Sequence, residues 1–415
     1  MNEGASIAAN EPFSPSVPAS LTAVRFVALW MLGMTLRVTL LAVPPLIPTI
    51  HSALGLSETG VSLLTSLPIL LLSVGAVVGS LLIFRVGIRN AVIVGVITVA
   101  AFSAGRGVLG SRFVLFGCTL MMGLGVAVLQ PSMPALVKEW FPAKVGIATA
   151  IYSNGMLVGQ VLGAGLTLPL MLPLAGGSWA GALALWSLPV AATAAILSFA
   201  ARDGRGAPAA PANWRPDWRD PQVWRMGLIL GSSSSMYFAA NTFLPDYLHV
   251  LGQADKIAAT LSSLSFFQIG APLLVMARPR HLVGHRWPFI AAGTAGFVCL
   301  GASVIGRGWG VVGEAGVVGF ATALILTICL TLPALLAPPE QVHTISAGMF
   351  AISYGCATLF PVIGGVLWDV TAIPEMAFVP ALCGAVIVVA LSCTLDLHAG
   401  VMVGRTPAPA DQKSA

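Results

Sequence analysis

The chain has 415 residues, 57% hydrophobic and only 8% charged, with a formal net charge of +5 and a mean hydropathy of +0.92. A soluble domain carries roughly a quarter charged residues, so this composition excludes one. It also argues against a nucleic-acid binder, because the basic residues stand in short loops between apolar runs and form no patch.

Residues 1–21 hold Glu3 and Glu11, no Lys or Arg, and no apolar core before a cleavage site, so a disordered tail is expected rather than a signal peptide. Apolar runs follow near residues 25–50, 60–84, 90–109, 113–136, 145–171 and 179–200. Each can cross a ~30 Å hydrocarbon core. In lipid the backbone must bond to itself, so the runs are read as helices. Alternating strands of the outer-membrane barrel type are not seen. This first set defines a bundle over 22–201. The polar stretch "ARDGRGAPAAPANWRPDWRDPQVW", rich in Pro and Arg, gives a linker at 202–222. Six more runs lie near 224–247, 257–277, 287–306, 313–337, 345–368 and 375–396, a second bundle over 223–397, and 398–415 is a second disordered tail. The expected fold is an all-α integral membrane protein with twelve transmembrane helices in two pseudo-symmetric six-helix bundles.

With both termini in the cytoplasm, 15 of the 20 Lys and Arg residues fall inside, while Arg106, Arg112, Lys256 and Arg307 fall outside and Arg37 is left in the membrane. The positive-inside rule selects this orientation, in the cytoplasmic membrane. The six cysteines all lie in apolar runs, without metal or disulfide spacing, and are read as buried, inert thiols. The halves are also related to each other. "PTIHSALGLSETGVSLLTSL" from Pro48 aligns without a gap to "PDYLHVLGQADKIAATLSSL" from Pro245, an offset of 197 residues. Pro48/Pro245, Leu54/Leu251, Gly55/Gly252, Leu64/Leu261, Ser66/Ser263 and Leu67/Leu264 coincide, and Glu58 meets Asp255. The offset persists from Gly87-Ile88-Arg89 to Gly284-His285-Arg286. Such a parallel repeat is expected of a transporter with two rocking halves.

The architecture resembles the major facilitator superfamily over nearly the whole chain. The loop after the second run, "SLLIFRVGIR", carries a degenerate form of that superfamily's signature, with Leu82, Arg85, Gly87 and Arg89 in place. Phe84 stands where the signature has an aspartate, which puts the usual loop-to-helix charge lock in question. Arg85, Gly87 and Arg89 are the expected gating-loop residues. "LRVTLLAVPPLIPTI", "LLTSLPIL", "QPSMPALVKEWFP", "YFAANTFLPDYL" and "FFQIGAPLL" are similar to segments of the cyanate/2-nitroimidazole (CynX/NimT) branch. That resemblance implies movement of a small anion or a small polar aromatic compound.

Arg37 is the main candidate for the chemistry. It lies twelve residues past Arg25, roughly 18 Å along a helix and near mid-membrane. An arginine at that depth costs about 2.5–3.5 kcal/mol on insertion scales, so it needs a wet cavity or a partner. All fifteen Asp and Glu residues sit in tails, loops or span ends, so an ion pair is not provided for. A guanidinium offers a planar donor fork suited to carboxylate-like or nitro groups. Gln130, beside Pro131, is either a substrate ligand or a helix-to-helix bond. Tyr237 and Asn241 share a face on the seventh run and, by the repeat, are expected to oppose Arg37. Tyr152 and Asn154 on the fifth run, Tyr354 on the eleventh and Gln268 on the eighth complete the substrate-binding candidates. Ser232 to Ser235 read as small-residue packing, and Arg106 and Arg112 as arginines reaching lipid headgroups in preference to an outer rim that attracts anions. His281 and His285 lack a third metal ligand, and no cofactor is implied.

The function expected is secondary active transport by alternating access, substrate bound beside Arg37, with one chain sufficient and membrane lipid the only other partner. A multidrug-type exporter of lipophilic neutral or acidic compounds is the alternative. No GxxxxGK[ST], HExxH or GxSxG motif supports an ATPase or an enzyme.

Overall fold

A computed structural model describes residues 19–55, 58–107, 111–200, 213–306 and 308–395. Residues 1–18 and 396–415, 56–57, 108–110, 201–212 and Arg307, and the side chains at positions 48, 51 and 58–70, lie outside the described residues. The expected N-terminal tail and linker are shorter than read, because residues 19–21 and 221–222 are already helical.

Among the described residues, twelve helical spans follow one another. The first is Ala19–Leu41, the second Glu58–Val86, the third Ile88–Gly105, the fourth Arg112–Trp140, and the fifth Val145–Leu166 with a π turn Thr167–Met171. The sixth is Trp179–Leu185 followed by Ser187–Ala200, and the seventh is Pro221–Val250. The eighth is Ile257–Phe266 and Gly270–Ala277, joined by the 3₁₀ turn Phe267–Ile269. Trp287–Ile305, Gly310–Leu336, Val342–Thr371 and Val379–Thr394 are the ninth to twelfth. Ten spans are long and apolar enough to cross a membrane among the residues described. The second has only Leu71–Val86 in that apolar search, and the polar run Ser232–Ser235 dilutes the seventh.

Prolines place the breaks. The first span stops at Leu41, a 3₁₀ turn covers Pro44–Leu46, and a separate helix runs Ile47–Leu54. Two consecutive residues without N–H, each with a fixed φ, cannot continue an α-helix, so the first apolar run is shorter as a helix than its hydropathy suggested. In the eighth span Pro272 cannot donate to the Gln268 carbonyl, and the backbone tightens to 3₁₀ around Gln268.

The packing repeats with the sequence. The first span packs on the fifth and sixth as the seventh packs on the eleventh and twelfth, and the second packs on the fourth as the eighth packs on the tenth. Across the halves, the second span meets the eleventh, and the eighth meets the fifth. The glycines of the repeat agree in backbone: Gly87 and Gly284 have φ of 80° and 81°, and Gly55 and Gly252 have 56° and 69°. These left-handed turns favour residues without a Cβ. Gly155, Gly159 and Gly163, four apart on the fifth span, face the first. A Cβ at Gly159 would stand 2.6 Å from the Met34 carbonyl oxygen, and one at Gly163 2.7 Å from that of Val38. Small residues at such spacing let two backbones touch in lipid.

The reading of six buried thiols is corrected in part. All are free, but only Cys329 is buried, and Cys383 and Cys393 on the outward side of the twelfth span are exposed.

Candidate functional site

A cavity of about 160 Å³ lies between the halves, with a smaller lobe of about 40 Å³ beside it. Arg37, Gln160, Tyr237 and Phe238 border both lobes. The larger lobe reaches Leu40, Leu41 and Pro44 at the end of the first span. It therefore lies towards the membrane face opposite residues 19 and 395, here the far face, the other being the terminal face.

The repeat orders the lining. Adding 197 takes Arg37, Leu40, Leu41 and Pro44 to Ser234, Tyr237, Phe238 and Asn241. All eight line one lobe or the other. The first and seventh spans thus present the same register to the same space.

Arg37 is half-buried and neighbours the Tyr354 hydroxyl. The two ion pairs described, Arg89–Glu139 and Lys256–Asp255, do not involve it. Tyr354 is 6% exposed and lines the larger lobe. Its hydroxyl accepts from the Gln130 amide at 2.6 Å. Gln130, 1% exposed, therefore stands behind Tyr354 and does not line the cavity itself. Tyr237 and Asn241 line the larger lobe, and the Tyr237 oxygen accepts from the Gln160 amide at 2.6 Å, a bond that crosses between halves. Gln268 lines the smaller lobe, and its amide donates back to the Leu264 carbonyl at 3.2 Å.

Two further candidates, besides Gln130, do not come to the cavity. Tyr152 is 1% exposed on the fifth-span face turned to the first, because it stands three residues before Gly155 and shares that packed face. Asn154 accepts from the Trp30 indole at 3.0 Å and ties the same two spans together. The serines behave as packing residues apart from Ser234: Ser232, Ser233 and Ser235 are buried.

The largest departure from the sequence reading is Arg106. It does not reach headgroups; it is 0% exposed and lines the larger lobe. Its Nη2 donates to the Thr39 carbonyl at 3.1 Å and to Ser103 Oγ at 3.0 Å, while Nε and Nη1 have no partner among the described residues. Burial lowers its pKa to about 10, so it stays charged at neutral pH. A buried ion without a counter-charge costs several kcal/mol. Gly107 explains the burial: a Cβ there would collide with the Ala180 carbonyl, so the start of the sixth span closes over the turn. Gln160, Phe238 and Thr119 also line the cavity without having been singled out.

On the terminal side of the cavity the halves touch. The Ser73 hydroxyl donates to the Ala351 carbonyl at 3.0 Å, and Ser153 Oγ to Thr327 Oγ1 at 3.4 Å. Gly87 turns the chain between the second and third spans, and Arg85 beside it is exposed. Phe84, where the signature has its aspartate, is also exposed. Arg89 instead pairs with Glu139 at 2.8 Å, tying the loop to the end of the fourth span within one half.

The family described as the Major Facilitator Superfamily matches residues 25–361. The chain is 30% identical over 295 residues to a 2-nitroimidazole transporter of Escherichia coli (strain K12), covering 70% of this chain and 73% of that protein. It is 26% identical over 255 residues to the cyanate transport protein CynX of the same organism, covering 60% of this chain and 65% of that protein. Among solved structures it is similar to the proton:xylose symporter XylE bound to 6-bromo-6-deoxy-D-glucose, with a TM-score of 0.69 and 12% identity, covering 91% of this chain and 96% of that one.

Proposed function

The chain belongs to the major facilitator superfamily, and from that membership we propose that it carries a compact anionic or electron-rich molecule across the cytoplasmic membrane by alternating access. Arg37, Tyr354, Tyr237 and Asn241 hold the substrate, Gln130 positions Tyr354, and Gln268 completes the smaller lobe. Both termini are cytoplasmic, so the cavity faces outwards and the contacts on its terminal side are the closed gate. One chain suffices, since the cavity is bounded by its own two halves.

The observation that carries this reading is a guanidinium on a central cavity, paired with no carboxylate in the ion pairs described. Such a charge is stabilised by a guest that brings acceptors. The compounds named for the relatives, cyanate and 2-nitroimidazole, are both compact and carry acceptor atoms that a guanidinium can bond. Size agrees: drug-sized pockets run to roughly 300–1,000 Å³, and about 160 Å³ suits a smaller guest than a multidrug exporter takes.

Uptake of labelled cyanate and 2-nitroimidazole into proteoliposomes tests it. Saturable uptake of at least one is expected. A charge-assisted hydrogen bond contributes about 1.5–3 kcal/mol, so Arg37→Ala should lower uptake about 10- to 150-fold, with partial recovery in Arg37→Lys. Normal uptake by Arg37→Ala would overturn the assignment.

A further inference from the structure

Arg106 is a second fixed charge on the larger lobe. A guanidinium has five N–H donors. Two serve Thr39 and Ser103, and the three on Nε and Nη1 serve nothing among the described residues. Lipid headgroups cannot take them, because the side chain is 0% exposed. Neither ion pair described involves it. Thr119, 1% exposed, lines the same lobe and its Oγ1 is likewise without a partner. Buried polar groups are nearly always bonded. Two unpartnered groups on one cavity wall therefore mark where a ligand completes the bonding.

We propose that Arg106 is a second anion-binding residue of the cavity, and that Arg106 and Arg37 take between them a compact anion carrying an acceptor atom at each of two ends. This rests on the anion-carrier reading and narrows it: a guest with a single acceptor leaves one guanidinium unanswered. Thr39 lies two residues beyond Arg37 on the first span, and its carbonyl holds Arg106 Nη2. Arg106 is thereby tied to the helix that carries Arg37. Thr119 Oγ1 donates to the same guest.

Cyanate, with nitrogen at one end and oxygen at the other, is the probe. The full chain is purified and titrated with sodium cyanate at constant ionic strength against chloride, following tryptophan fluorescence and the thermal midpoint. Arg106→Met is expected to weaken the cyanate Kd at least tenfold while leaving the ligand-free midpoint unchanged or higher, because a buried unpaired charge has been removed. Arg106→Lys, which keeps charge but loses donors, should weaken it at least threefold and serves if the methionine variant does not fold. A wild-type Kd in whichever variant folds, above all with a lowered midpoint, would make Arg106 structural and overturn the proposal. Binding that requires Arg37 but not Arg106 overturns the second guanidinium alone. A wild-type chain that binds no cyanate overturns the two-guanidinium proposal, and the carrier reading falls with it only if 2-nitroimidazole is not taken up either.

Discussion

The Gln160–Tyr237 bond joins the halves at mid-membrane, bordering both lobes of the cavity. Side-chain hydrogen bonds between membrane helices average about 0.6 kcal/mol, so Tyr237→Phe should shift the balance between outward and inward conformations about threefold. Accessibility of single-cysteine reporters at the two faces would measure it, and an unchanged balance would show that the bond does not bias the cycle. Residues of this kind were unevenly legible in the sequence. Arg37 stood out because a charge inside an apolar run has few explanations. Arg106 did not, because its burial depends on Trp179–Leu185 closing over Gly107, some seventy residues later in the chain. Gln160 was readable in principle: Gly155, Gly159 and Gly163 fix which face of the fifth span meets the first, and Gln160 lies off that face. The same stripe would have removed Tyr152.

The first and fifth spans are held at backbone contact by that stripe, which fixes the direction of Arg37. Gly159→Leu would drive a side chain into the Met34 backbone. Overpacking costs about 1–3 kcal/mol, so a lower thermal midpoint and reduced uptake are expected together, with Gly159→Ala milder. A stable, active leucine variant would show that the helices can part without disturbing the site. Spans were visible from hydropathy because crossing lipid demands long apolar helices. Their ends and breaks were less so. The first span lost its last nine residues to the helix break at Pro44-Pro45, and the eighth took a 3₁₀ turn at Gln268. Prolines announce that a helix is disturbed but not whether it stops, tightens or resumes.

Across the whole molecule, the contacts between the halves on the terminal side of the cavity are neutral: Ser73–Ala351 and Ser153–Thr327. If the halves must separate there once per cycle, a disulfide between Ser73→Cys and Ala351→Cys, with the six native cysteines replaced, should stop transport and a reductant should restore it. Transport that persists in the oxidised protein would refute rocking about this contact. The 197-residue offset had already exposed the twofold plan, and the matching Gly87/Gly284 and Gly55/Gly252 backbones carry it into three dimensions. The offset does not extend to chemistry. Both guanidiniums come from the first six spans, while the duplicate contributes Ser234, Tyr237, Phe238, Asn241 and Gln268, all uncharged. If Arg37 and Arg106 hold the guest as proposed, one copy of the repeated unit supplies the grip and the other the mould. Exchange of neutral side chains in the second copy can then reshape the accepted guest while its electrostatic anchor stays in place, so descendants of one duplication could diverge in cargo without reinventing the handle.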